Sequence, residues 1–150
     1  MAVLRDRPYG NSNFLVDFGE GDSRSVTAGF AEVIFPPFTF DHAGWDPDGP
    51  TDSPVAEPMN ATACKRLVLK RGLIGALDLY DWWNSARHGM AAKRRAVKIE
   101  LLSEDLTTVV LTWHFRNVYP VSLSYSPLRA LDGGIVMESV ELAFESMEMS

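Results

Sequence analysis

The sequence predicts a mainly β protein, a barrel or sandwich of two packed antiparallel sheets with one flanking α-helix. Most patterned segments alternate apolar and polar residues with the two-residue period of strands. A single segment has the 3.6-residue spacing of an amphipathic helix. The chain has 150 residues, of which 46% are hydrophobic. This length and composition allow one domain with a sizeable apolar core.

Seven segments along the chain have the pattern of strands. In the clearest of them, Val97, Ile99 and Leu101 share one face while charged residues share the other. The short segment 103–106 after it predicts a hairpin connection. Pro120 marks an edge or a bulge in a later strand, because proline cannot donate a ladder hydrogen bond. The predicted strands cover residues 13–18, 26–35, 65–70, 95–101, 107–116, 118–125 and 135–147.

The last predicted strand contains a charged residue at a core position. Glu138 has the same parity as Val140, Leu142 and Phe144, which are expected to face the core. Either the strand begins after Glu138, which is the interpretation we favour, or Glu138 is paired at the rim of the sheet.

The predicted helix covers about residues 77–88. Asp78 is expected to be its N-cap, and Gly89 is expected at the C′ position, where glycine tolerates a left-handed conformation. Trp82 lies beside the apolar face, so it belongs either to a wide core face or to a subunit interface. The apolar face itself comprises Ala76, Leu79, Tyr80 and Trp83.

A long proline-rich loop is expected over about residues 36–63. It holds most of the prolines of the chain together with several acidic residues, so it cannot form core. A connection of this length inside one domain is typically functional or disordered. Phe38, Phe40 and Trp45 are large apolar groups that a pure linker would lack, so we expect the loop to pack on another surface, with another subunit as one option.

The sequence predicts no catalytic, cofactor-binding or metal site. Its 20 acidic and 14 basic residues give a net charge of −6, which argues against nonspecific binding to nucleic acid or anionic membranes. Cys64 is the single cysteine, and the three histidines have no metal-ligand spacing. No nucleophile elbow or phosphate-binding loop is present. We therefore expect a protein that is not an enzyme.

Several motifs in a fixed order resemble one known family, the tail-tube proteins of contractile phage tails and of extracellular contractile injection systems. Each motif alone is weak, and the order and spacing together carry the resemblance. The motifs are residues 69–72 at a strand end, the helical segment 75–83, the basic run 93–95, residues 116–121 before the final turn, and the closing strand 138–145.

The resemblance implies a single tail-tube domain over residues 1–150 and a structural, non-catalytic role as a virion component. Tail-tube proteins form homohexameric rings that stack into a hollow tube inside a contractile sheath, joined to a baseplate. The implied partners are therefore other copies of the chain, sheath and baseplate proteins, and cargo in the lumen. The protein is expected to be made in the bacterial cytoplasm and then to become part of a phage tail or an extracellular injection particle.

The predicted loop departs from the family pattern, and this leaves alternatives open. A specialised initiator or adaptor ring that joins the tube to the baseplate is one alternative. A small-molecule-binding β-barrel is the other, because the chain is β-rich and 11% aromatic. The residues expected at subunit contacts are Phe38, Phe40, Trp45, Arg71, Trp82, Lys93, Arg94 and Arg95.

Overall fold

A computed structural model describes residues 2–19, 29–39, 66–89 and 94–150 of the chain. These residues form a mainly β fold of seven strands and one helix, as the sequence predicts. The elements are β1 (Phe14–Asp17), β2 (Glu32–Ile34), β3 (Arg66–Gly72), α1 (Asp78–Arg87), β4 (Arg95–Leu102), β5 (Val109–Tyr125), β6 (Met137–Ala143) and β7 (Ser146–Met149).

The strands form one continuous antiparallel sheet in the order β1-β4-β5-β6-β3-β2, with β7 also pairing with β5. The first part of β5 pairs with β4 and β7, and its second part pairs with β6. Side chains from both parts of the sheet meet in one buried cluster. The two packed layers that the sequence predicts are therefore joined through β5.

The core is built from alternate residues of strands in both layers, and α1 covers it through Leu79 and Trp82. Burial of such large apolar side chains is the main favourable contribution to folding. The strand residues of this cluster with no more than 1% exposure are Val16, Leu67, Leu69, Val97, Ile99, Phe115, Val118, Val140 and Leu142.

Strand β5 corrects the prediction of two separate strands over 107–116 and 118–125. It runs as one continuous strand of 17 residues. Asn117 has a φ of 51°, which asparagine tolerates better than most residues. The register also shifts between Pro120 and Ser122, so the predicted bulge at Pro120 is confirmed. These two features bend the strand, so that one strand serves both layers.

The predicted strand over 135–147 is divided between the two layers. Val140, Leu142 and Phe144 are buried as predicted, at 5% exposure or less. After Ala143, the chain continues into β7, which pairs with the first part of β5. Our favoured interpretation of Glu138 is wrong, because β6 contains it and it is 1% exposed.

Helix α1 begins one residue later than predicted and turns a different face to the core. Leu77 is its N-cap, without a side-chain capping bond, so Asp78 is not the cap. Leu79 and Trp82 are each 2% exposed, whereas Tyr80 is 40% exposed. Trp82 therefore belongs to the core face. Gly89, with a φ of 75°, follows the C-cap as predicted.

Four other predicted strands are confirmed within the described residues. Strands β1, β3 and β4 lie close to the predicted segments 13–18, 65–70 and 95–101. Strand β2 covers three residues of the predicted segment 26–35, part of which lies outside the described residues. The hairpin between β4 and β5 closes through a bond from Ser103 N–H to Thr108 O, at 2.9 Å.

Candidate subunit-contact surface

Five of the eight residues expected at subunit contacts fall within the described residues. Phe38 is 43% exposed, and its ring lies 6.2 Å from that of Phe144. Arg94 is exposed and lies over the Tyr119 ring, 5.1 Å from its centroid. Arg95 is half-buried. Phe40, Trp45 and Lys93, with residues 40–63 of the predicted loop, lie outside the described residues.

Two of the expected contact residues are instead buried inside the subunit. Arg71 is 1% exposed and Trp82 is 2% exposed. The Trp82 ring packs edge-on against Phe18, at 5.7 Å between centroids, and Arg95 lies over it at 4.9 Å. In this conformation both side chains lie in the interior of the subunit.

Arg71 is the centre of a buried ionic network. It lies directly opposite Glu138 across β3 and β6, and its Nε donates to a Glu138 carboxylate oxygen at 3.2 Å. Its two terminal nitrogens donate to both oxygens of Asp78, at 3.2 and 2.5 Å. Asp78 is the first residue of α1, so the network fixes the start of the helix to the end of the sheet.

The two carboxylates keep Arg71 charged in the interior. Burial alone would lower the pKa of Arg71, and the hydrogen bonds and negative charges of Asp78 and Glu138 outweigh this effect and raise it.

The sequence contained a signal for this network. Arg71 has the same strand parity as the buried Leu67 and Leu69, just as Glu138 has the parity of buried residues in its own strand.

Within the part of the chain that the structure describes, the outer strands of the sheet have an unpaired edge that a strand of another chain can join. Among the described strands, β1 pairs with β4 alone, β2 pairs with β3 alone and β7 pairs with β5 alone. An edge strand of this kind is a template on which another chain can add a strand. These edges are therefore candidate contacts between neighbouring subunits of a ring.

A group of exposed apolar side chains lies at the end of the sheet where β3 and β5 finish and β6 begins. We call this group the loop patch. Strand pairing and a bond from Leu73 N–H to Val136 O, at 2.9 Å, bring its segments together. The sequence analysis missed this group, because segment 126–136 has no regular period. The loop patch comprises Leu73, Ile74, Leu77, Tyr80, Tyr125, Leu128, Leu131 and Ile135.

A second apolar group lies at the beginning of β5. We call it the hairpin patch, and it consists of Val3, Leu4, Leu106 and Val109. The N-terminal arm reaches the hairpin through a bond from Val3 N–H to Val110 O, at 2.8 Å. Two nitrogens of Arg5 also donate to the two carboxylate oxygens of Glu104, at 2.9 and 2.8 Å.

The ion pair between Arg5 and Glu104 gives a testable pH dependence. Hydrogen bonds from Arg5 lower the pKa of Glu104 to about 2, from an ordinary value of about 4.3. A lowered pKa means that the pair contributes stability above the ordinary value and loses it as the pH falls through about 2. We expect a carboxyl NMR titration of monomeric protein to find this low midpoint.

Substituting the arginine should reverse the shift. In the Arg5→Gln variant, the pKa of Glu104 is expected to rise toward its ordinary value. The Arg7→Gln variant is the matched control and should have a much smaller effect, because Arg7 acts on Glu104 only through its charge. Equal titration midpoints of Glu104 in the wild type and the Arg5→Gln variant would show that the ion pair between Arg5 and Glu104 does not form.

The described residues contain no helix long and apolar enough to cross a membrane. They also contain no group of three or more histidine, cysteine, aspartate or glutamate side chains arranged to hold a metal ion.

A family model described as T4-like virus tail tube protein gp19 matches residues 10–148 of the chain. No curated protein gives a significant sequence match. Solved structures with similar folds come from contractile injection systems. A chain of the sheath and tube complex of the PVC extracellular contractile injection system, in the extended state, is 20% identical, with a TM-score of 0.68. The match covers 95% of this chain and 91% of that chain.

Two further structures have a similar fold. A chain from the sheath and tube terminator of the PVC system has a TM-score of 0.73 at 19% identity, covering 97% of this chain and 98% of that chain. A chain from the tube-terminating cap of the anti-feeding prophage has a TM-score of 0.65 at 18% identity, covering 100% and 95%. At these identities the likeness is one of fold.

Proposed function

Since the chain belongs to the T4-like virus tail tube protein gp19 family, we propose that it is the structural subunit of the inner tube of a contractile, phage-tail-like injection system. In this role it assembles as hexameric rings that stack into a hollow conduit for cargo. The observation that carries the proposal is the family match over residues 10–148, which leaves few residues of the chain outside it. The role requires no catalytic step.

The structure supports this role through its edges. The terminal strands β1 and β2 each have one hydrogen-bonded neighbour among the described strands. In a ring, each subunit has two lateral neighbours, so edge strands of one subunit can meet edge strands of both neighbours. Strand addition between subunits would complete the pairing and convert an aggregation hazard into a closed assembly.

The sheath and the baseplate are the partners that the proposal implies. A chain with a similar fold comes from a sheath and tube complex, and another comes from the baseplate of the anti-feeding prophage. By analogy with these assemblies, the outer surface of the tube would contact sheath subunits, and the particle would be a phage tail or an extracellular injection particle.

Electron microscopy of the purified full chain tests the proposal. We expect annular particles with a central opening, alone or stacked, and light scattering should give a mass of six times the 16.7 kDa of one chain for a single ring. A uniform population of monomers at high protein concentration would contradict the proposal.

A specialised ring that joins the tube to the baseplate is the second candidate. It is favoured by the unusual sequence of residues 36–63, which is rich in proline and acidic residues. Such a ring should not extend by itself and should form tubes only after another tube protein is added. Long tubes that form spontaneously from this chain alone would exclude the candidate.

The small-molecule-binding barrel receives less support from the structure. Inward-facing side chains of the described strands pack into a shared apolar cluster. The groove lined by segment 126–136 opens at the surface of the subunit. A ligand that stabilises the protein in thermal-shift screens against diverse small molecules would support this candidate function.

A further inference from the structure

We propose that rings of this protein stack head to tail, with the loop patch of one copy receiving the hairpin patch of a copy in the next ring. The inference rests on the proposed function, because it takes the formation of rings as given. It adds the two surfaces that make the axial contact and the direction in which they meet.

The loop patch gathers highly exposed apolar side chains at one end of the sheet. Leu131 is 102% exposed, Leu128 is 82% exposed and Ile135 is 78% exposed. The other five members are between 40% and 65% exposed. Exposed apolar side chains that lie near one another mark a contact site, so we expect them to be covered in the assembled state.

Hydrogen bonds hold the exposed leucines of the loop patch in place. Ser126 N–H donates to Met137 O at 2.9 Å, and Met137 N–H donates to the Ser126 hydroxyl oxygen at 2.8 Å. Asp132 N–H donates to Arg129 O at 3.3 Å. These bonds close the base and the turn of segment 126–136. The loop is therefore already ordered, so its association with a partner costs little conformational entropy.

The start of α1 belongs to the same rigid surface. Leu77 and Tyr80, two members of the loop patch, flank Asp78, which Arg71 binds through two hydrogen bonds. Arg71 in turn binds Glu138 in β6. The buried network thus fixes the helical part of the loop patch relative to its strand part.

The hairpin patch offers a protruding apolar side chain. Leu4 is 96% exposed. Its two neighbours, Val3 and Arg5, are hydrogen-bonded to the hairpin. Leu4 is a single protruding apolar side chain on a fixed arm. At the other end of the subunit, segment 126–136 lines an open groove of about 590 Å³, whose wall includes Leu128 and Ile135. The groove can receive a protruding side chain.

Strand β5 sets the direction of the contact. The hairpin patch lies at its beginning and the loop patch at its end. The strand has 17 residues, so its two ends are at most about 55 Å apart before the bend. Two different patches at the two ends of one strand suit a heterologous contact, which repeats without limit and builds a filament. A contact between two loop patches would instead pair two rings and stop there.

Charged substitutions in the loop patch test the proposal. In the Leu128→Asp, Leu131→Asp double variant, we expect single rings to persist, while the ratio of stacked rings to single rings falls at least about tenfold, the effect of about 1.4 kcal/mol per contact. The monomer should remain folded, because both side chains are exposed. The Leu131→Met variant keeps an apolar group and should stack like the wild type.

The outcomes of this experiment are separable. If the wild type forms no rings, the proposed function fails, and this inference fails with it. If the wild type forms stacked rings and the double variant stacks equally well, the proposed function stands and this inference is overturned.

Cross-linking tests the direction of stacking. A variant with Leu4→Cys and Leu131→Cys, in a Cys64→Ser background, should give a ladder of covalent oligomers when assembled protein is treated with a short bismaleimide. Each single-cysteine variant should stay monomeric on a denaturing gel. The absence of a ladder from stacked rings, or covalent dimers from the Leu131→Cys variant alone, would overturn the proposal.

Discussion

Replacing Arg71 with methionine is expected to lower the free energy of unfolding of the subunit by about 3–5 kcal/mol. The substitution keeps much of the side-chain volume but removes the cation that Glu138 and Asp78 share. The Glu138 side chain is 2% exposed, so water cannot replace the lost partner. Urea unfolding followed by tryptophan fluorescence, at a concentration where light scattering finds monomers, measures the loss.

An exposed ion pair of the same type provides the control for this prediction. Arg116 and Glu148 are 63% and 64% exposed, and Arg116→Met should cost less than about 1 kcal/mol. Combining Arg71→Met with Glu138→Leu should recover most of the loss, because no buried carboxylate remains in the strand. Similar small losses in the Arg71→Met and Arg116→Met variants would contradict the account of the buried network.

The Trp82→Ala variant is expected to lose about 3–5 kcal/mol of subunit stability, because it removes the largest fully buried side chain among the described residues. Trp82 packs against Phe18, and Arg95 lies over its ring. The substitution would leave a cavity between α1 and the sheet. Urea unfolding of the monomer measures this loss directly.

The neighbouring tryptophan makes a matched control. Trp83 is half-buried and contacts Tyr80 and Arg87 on the helix surface, so Trp83→Ala should cost only about 1 kcal/mol. If Trp82 acted instead at a subunit interface, Trp82→Ala would leave the unfolding transition in place and reduce assembly alone. That result would support the subunit-interface alternative for this residue.

The fold class could be predicted because strand periodicity is a local property of the sequence. Val97 and Ile99 in β4, and Val140 and Leu142 in β6, are buried as their alternation predicts. The continuity of β5 could not be predicted in this way. A bulge shifts the alternation by one residue, so a bent strand has the same pattern as two shorter strands.

The buried network was only half visible in the sequence. Glu138 stood out as a charge at a core position, but its partner depended on the register between β3 and β6, which sequence patterns do not give. The N-cap assignment of Asp78 was also wrong. The side chain of Arg71, at the end of β3, binds both carboxylate oxygens of Asp78, and this tertiary contact is not visible in the local pattern of the helix.

The loop patch was the least predictable feature. Residues 126–136 contain Leu128, Leu131 and Ile135 without any regular period, so the sequence alone does not say which of them is buried. Their exposure follows from bonds that join this segment to the start of β6 and to the residue after β3. Aromatic residues of the predicted loop gave a clearer signal in the sequence, but Phe40 and Trp45 lie outside the described residues.

Cryo-electron microscopy of the assembled full chain tests the central claim most directly. We predict stacked rings of six subunits around an open lumen, with edge strands β1 and β2 at the lateral contacts and the loop patch against the hairpin patch between rings. Assemblies without a central channel, or a protein that stays monomeric at every concentration that supports imaging, would contradict the assignment of this chain to the wall of a tube.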